Sequence, residues 1–151
     1  MTVFSGQVVS VDVVHVAVAV ITDEDKTGKK VLIAKRPDHV HKGGLWEFPG
    51  GKVENTESVL EALTRELKEE LAISVLNAAP LLKVQHDYPE KSVLLDVWEV
   101  TQFSGSAIGN EGQPVAWVPV DQLNGYQFPE ANHPILDELK KLGRDIIPVN
   151  F

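Results

Sequence analysis

The chain has 151 residues, a formal net charge of −8 and no cysteine. That length suits one domain with a real core, since such a chain buries roughly 68–70% of its unfolded surface. A disulfide framework, a thiolate metal site and a cysteine nucleophile are excluded. The acidic balance is the opposite of the basic footprint of a protein that binds long nucleic acid, so an anionic small ligand needs a cation to mediate.

In chain order, the opening MTVFSGQVVSVDVVHVAVAVI has no positively charged region and no small-residue cleavage site, and Asp12 and His15 interrupt its apolar run. It reads as strand, not as a signal or a membrane span, and a cytoplasmic, membrane-free protein is expected. Val14 to Ile21 is rich in β-branched residues; the polar TDEDKTGKK then reads as a turn, and VLIAKR resumes the strand pattern, which makes a hairpin. Pro37 to Gly51 reads as a loop. From Ser58 to Leu71, apolar residues at Leu60, Leu63, Leu67 and Leu71 have helical spacing, and Ser58 with Glu61 forms a capping-box signature. LLKVQHDY and SVLLDVWEV form a second hairpin around Pro-Glu-Lys, VAWVPV adds a strand, and Pro134 to Leu142 reads as a helix with Gly143 at its stop. No repeat, low-complexity tract or linker divides residues 1–151, so a single mixed α/β domain is expected. Oligomeric state is not legible.

Glu66, Glu69 and Glu70 stand at i, i+3 and i+4, so their side chains share an arc of roughly 100°. The leucine stripe lies about 100° further round, so one helix can bury one side and present three acids on another. Three such glutamates are most often a solvated face. A bound divalent cation would turn their repulsion into attraction, because hard ions such as Mg²⁺ bridge carboxylates and substrate phosphates.

The flanking residues favour the second reading. GKVENTESVLEALTRELKEELAI resembles the Nudix box: Gly51, Glu57, Arg65, Glu66, Leu67, Glu69, Glu70 and Ile73 stand in its register. The six fixed polar and glycine matches alone have a chance probability of about one in ten million per window, which sets coincidence aside. Ala72 departs from the pattern, replacing the box's second glycine at a position just past the helix where a left-handed residue is common.

The resemblance implies an α/β/α sandwich with a mixed β-sheet and hydrolysis of a nucleoside diphosphate linked to another group, with Mg²⁺ as cofactor and Mn²⁺ as a substitute. It implies metal ligation by Glu66, Glu69 and Glu70, aided by the Gly50-Gly51 turn and by Glu111 in the loop GNEGQP. Arg65 would orient a glutamate. Glu66 is the first choice for the general base, Glu57 and Glu111 the weaker ones, and Glu57 could equally be structural. EFPGGKVE, HDYPEKSVLLDVW, EGQPVAWVPV and FPEANHPIL further resemble the MutT-type 8-oxo-dGTP diphosphatases over about Val14 to Leu142. On that pattern the substrate is a nucleoside triphosphate, 8-oxo-dGTP foremost, met by Arg36, His41, Lys91 and Asn132 and by Glu47, Phe48, Pro49 and Gly50 of the loop. Asn132 would read the base, although asparagine before a helix is also a favoured N-cap. Lys91 stands where arginine is common, and Trp46, Phe48 and Phe128 could wall a base or simply pack. Two rivals stay open: a Nudix hydrolase of another substrate, such as an unmodified dNTP, CTP or ADP-ribose, and a non-catalytic nucleotide-binding module.

Overall fold

The computed structural model describes residues 2–4, 7–9, 12–40 and 43–145, and side chains over 12–40 and 43–141. Near the N-terminus, β1 (Thr2–Phe4) and β2 (Gln7–Val9) form an antiparallel pair of their own. The main sheet has seven strands, β3 (Val13–Asp25), β4 (Gly28–Lys35), β5 (Trp46–Glu47), β6 (Gly50–Lys52), β7 (Ser74–Asp87), β8 (Ser92–Ser104) and β9 (Val115–Pro119). Its path runs β5-β4-β3-β8-β7, with β6 on β3 and β9 on β4. The β3–β8 pairing is parallel and the others antiparallel, so the sheet is mixed.

β3 explains the layering. Its residues from Ala17 to Thr22 are buried on both faces, as expected of a central strand covered on either side. Because side chains alternate, Ala17, Ala19 and Ile21 face α1 (Val59–Leu71) and pack with Leu63, Leu67, Leu71 and Ile73. Val18 and Val20 face the opposite way, toward Leu123, Ile135 and Leu139 on the side of α2 (His133–Asp145). The result is the expected α/β/α sandwich.

The structure differs from the sequence reading at several points, and the stretch Pro37 to Gly51, read as a loop, holds β5 and the start of β6. TDEDKTGKK is mostly strand, because Asp23 lies opposite Lys30 and Glu24 opposite Lys29; paired opposite charges stabilise a hairpin end that polarity alone would assign to a turn. Only Lys26 and Thr27 turn, with the Thr27 N–H donating to Asp25 Oδ1 at 2.8 Å. The helix α2 continues past Gly143, since one glycine costs only about 1 kcal/mol within a helix. Leu60, on the expected apolar stripe, stands in the first turn of α1 and is 41% exposed.

The capping box is formed: Ser58 Oγ accepts from Glu61 N at 3.1 Å, and Glu61 Oε1 accepts from Ser58 N at 2.8 Å. At the other end Ala72 adopts φ 59 and ψ 34, the left-handed conformation, and its N–H reaches the Leu67 and Lys68 carbonyls. The missing glycine therefore leaves the exit unchanged and strains it instead. Ala72→Gly is expected to stabilise the protein by about 1 kcal/mol, read as a higher urea midpoint with an unchanged m-value; a lower midpoint would show that the left-handed cap carries no strain.

Candidate active site

The Gly50-Gly51 pair sets the geometry of the site. β6 lies so close to β3 that a Cβ on Gly50, whose φ is +153, would come within 2.0 Å of the Ala17 carbonyl oxygen. A Cβ on Gly51 would lie 2.4 Å from Cδ of Glu66. Two glycines in succession let the β6 backbone fit between β3 and the acid face of α1. The Gly50 N–H then donates to Glu70 Oε2 at 3.1 Å.

Arg65 organises the acids beside it. Its Nε and Nη2 donate to Glu57 Oε2 and Oε1 at 2.7 and 2.9 Å, a bidentate pair, and Nη2 also donates to the Lys52 carbonyl at 3.1 Å. Nη1 donates to Glu66 Oε1 at 2.8 Å and lies 3.7 Å from Glu69 Oε2. Hydrogen bonds from Arg65 and from the Glu54 N–H hold the Glu57 carboxyl down at about 2. Glu57 is thus fixed to Arg65, which suits an anchor better than a proton acceptor.

Glu70 is different. Burial and the negative charge of Glu66 push its carboxyl up to about 8, with smaller pushes from Glu111 and Glu47 and an opposing pull from the Gly50 amide. Burial likewise raises Glu66, against the pull of Arg65 and with Glu69 and Glu111 adding to the push. Exposed Glu111 thus lies close enough to both helix acids to repel them. Among the described residues no three carboxylate or imidazole groups already form a metal cage. The donor set still fits a hard divalent ion, being all oxygen and mutually repelling, beside a glycine backbone that a side chain would obstruct.

A cavity of about 330 Å³ opens beside Glu70, lined also by Gly50, Gly51, Lys52, Arg36, Glu47, Phe48 and Asn132, with Val16, Val18 and Leu95 as an apolar floor. Arg36 Nη1 donates to Glu47 Oε1 at 2.9 Å. Phe48 is 4% exposed and stacks on Phe128 at 5.2 Å between centroids, so it both packs and lines. Pro49 is buried and fixes the loop through its carbonyl, which accepts from Ala19 N at 2.8 Å. Asn132 closes a 3-10 turn (Glu130–Asn132) directly before α2, the position of a cap, and lines the cavity as well. Lys91 is exposed in the β7–β8 turn and does not line the cavity, and His41 lies outside the described residues.

Sequence reasoning missed the floor residues and Lys52; the alternation of valines at 16 and 18 with alanines at 17 and 19 is the signal that places the valines on the cavity side. It missed Asn110 and Gln113 too. Their side chains donate to the Glu69 and Glu70 carbonyls, both at 2.9 Å, across some forty residues of sequence that carry no local mark of the contact.

A model of the NUDIX domain matches residues 17–138, and the chain belongs to the Nudix family, whose hydrolases are generally dependent on divalent metals. Within the family it is 34% identical over 128 residues to the 8-oxo-dGTP diphosphatase of Escherichia coli K12, covering 85% of this chain and 97% of that one. It is 35% identical over 125 residues to the CTP pyrophosphohydrolase of the same organism, covering 83% and 90%. A solved MutT structure, from work on Aliivibrio salmonicida and Vibrio cholerae, superposes with a TM-score of 0.75 at 37% identity, covering 87% of this chain and 99% of that one. No helix among the described residues is long and apolar enough to cross a membrane.

Proposed function

We propose that this protein is a Mg²⁺-dependent pyrophosphohydrolase, Mn²⁺ substituting, that cleaves 8-oxo-dGTP to 8-oxo-dGMP and pyrophosphate in the cytoplasm and so keeps an oxidised base out of DNA. The observation that carries this is one cavity with Glu70 and the Gly50-Gly51 backbone at its acid end and Asn132 on its lining. Glu66, Glu69, Glu70 and Glu111 would hold the ions with the glycine backbone. Bound there, divalent ions supply positive charge against the phosphate oxygens and acidify water.

The protein's own residues do the rest. Glu66 takes the proton as the water oxygen bonds to phosphorus, and the bridging P–O bond of the α,β-anhydride breaks with its electrons leaving on the departing phosphate oxygen. Burial brings the Glu66 carboxyl nearer to neutral pH, where a general base works best. Glu57 holds Arg65, and Arg65 orients Glu66. Arg36 approaches the nucleotide with its direction fixed by Glu47, while the Asn132 amide offers both a donor and an acceptor to the base edge. The similarity to a CTP pyrophosphohydrolase supports a second reading, in which the base is a pyrimidine.

Hydrolysis with Mg²⁺, read as pyrophosphate released from 8-oxo-dGTP, dGTP and CTP and as AMP with ribose 5-phosphate released from ADP-ribose, and compared as kcat/KM, separates these readings. Equal values for dGTP and 8-oxo-dGTP would rule out the sanitising role, and a preference for CTP would install the second reading. Asn132→Ala is expected to reduce the preference for 8-oxo-dGTP over dGTP by roughly tenfold or more, because a lost base contact costs about 1–3 kcal/mol. A uniform loss over all nucleotides would instead assign Asn132 to capping α2.

A further inference from the structure

The last carbonyls of a helix have no partner within it. At the end of α1 three of them, on Glu69, Glu70 and Leu71, are taken by the segment that carries Glu111. Ile108 N donates to Leu71 O at 3.1 Å and Asn110 N to Glu70 O at 2.9 Å. Asn110 Nδ2 donates to Glu69 O, and Gln113 Nε2 to Glu70 O, each at 2.9 Å. Gln113 does more than cap, because its Oε1 accepts from the Glu111 N–H at 2.9 Å. One amide therefore joins the backbone of Glu70 to the backbone of Glu111. Glu111 is exposed, and its backbone N–H is held by this tether. The segment is itself tight: Gly112 N donates to Gly109 O at 3.0 Å, and a Cβ on Gly109 would come 1.8 Å from the Gln113 carbonyl oxygen.

We propose that Gln113, seconded by Asn110, is a positioning residue that fixes Glu111 against the acid end of α1 and affects hydrolysis only through Glu111. The inference rests on the reading in which Glu111 serves the reaction. Two asymmetries make it testable. Gln113→Met keeps the bulk and loses both hydrogen bonds. Gln113→Glu keeps an acceptor for the Glu111 N–H, loses the donor to Glu70 O and aims a negative charge at a helix C-terminus.

The experiment is a double-mutant cycle of Gln113→Met with Glu111→Ala in the full chain, read by kcat, by KM and by Mn²⁺ affinity of the nucleotide-free protein from electron paramagnetic resonance. Alone, Gln113→Met is expected to lower kcat and weaken Mn²⁺ binding by about 10–100-fold, the usual cost of losing an outer support of a metal site, with KM changed much less. Combined with Glu111→Ala, the same substitution should change kcat and Mn²⁺ affinity by less than about twofold. Gln113→Glu should match or exceed Gln113→Met. Equal losses in both backgrounds would show that Gln113 merely stabilises α1, and an unchanged kcat and Mn²⁺ affinity for Gln113→Met would deny it any role; either overturns the inference. If Gln113→Met does not fold, Asn110→Ala, which removes only the bond to Glu69 O, takes its place in the cycle, and its outcomes are read in the same way. Should Glu70→Gln abolish hydrolysis while Glu111→Ala leaves it intact, this inference falls alone; should Glu70→Gln leave hydrolysis intact, the hydrolytic assignment of the site falls first.

Discussion

Glu70→Gln is expected to lower kcat by about 10²–10³-fold, or about 3–4 kcal/mol of transition-state stabilisation, while the metal-free fold becomes no less stable. Glutamine matches glutamate in size and keeps an oxygen to accept from Gly50 N, so the contact between β6 and α1 survives. What disappears is the ligand charge. That charge costs stability in the metal-free protein, where burial and Glu66 push the Glu70 carboxyl from its ordinary 4.5 up to about 8. A carboxyl whose folded value is raised binds its proton more tightly folded than unfolded. Its contribution is full below about pH 4.5 and is lost as pH rises through about 8. The parent in EDTA should therefore lose stability across that window, by up to about 1.4 kcal/mol per pH unit from this group, and the variant should lose less. Urea midpoints at pH 5 and pH 8, with EDTA and with Mg²⁺, measure both effects. Mg²⁺ should restore the parent at pH 8 and do far less for the variant, since metal ligands must be deprotonated. Parental kcat in Glu70→Gln would remove Glu70 from the metal site.

The second large effect separates two adjacent glycines. Gly51→Ala places its methyl where the Glu66 carboxylate now lies, 2.4 Å from Cδ. The obstacle is the end of a flexible side chain, so the fold should survive with Glu66 displaced from Arg65 and from the acid cluster. A loss of about 10²-fold in kcat is expected, since a small misplacement at a reacting centre costs that much, with a urea midpoint close to the parent's. Gly50→Ala meets backbone instead, the Ala17 carbonyl oxygen at 2.0 Å, from a φ that side chains rarely adopt. It should cost about 3–5 kcal/mol of stability. Circular dichroism melts beside the activity assay decide the point: if Gly51→Ala keeps full activity, Glu66 is not needed where it stands.

The parts of this molecule governed by nearby residues were legible in its sequence. The capping box of Ser58 and Glu61, the leucine stripe from Leu63 onward, both long hairpins and the register of Gly51, Glu57, Arg65 and the three acids all lie within a few turns of chain, and the structure brings them together as their spacing implies. Arg36, Glu47, Phe48, Gly50 and Asn132, expected from family resemblance, gather round one cavity. Composition misled where charges pair across strands, as in TDEDKTGKK, and where a glycine is tolerated inside α2. Contacts distant in sequence left no trace: nothing near Gln113 announces that its amide will meet Glu70, and Lys91 gives no sign that its turn lies off the cavity. Ala72 shows a third case, in which the residue departs from the pattern and the backbone keeps it.

The alternation along β3 has a consequence for which changes of length the chain can accept. Ala17 and Ala19 lie under α1, and Val16 and Val18 floor the cavity. With the β3–β4 hairpin holding the far end of the strand in register, deleting one residue between Ala19 and Thr22 would turn the preceding stretch over, bringing valines beneath the helix and alanines beneath the substrate. The helix would be lifted from β6 and the cavity deepened in the same event. Hairpin tips such as Lys26-Thr27 can drift in length between descendants, whereas this segment can change only by substitution.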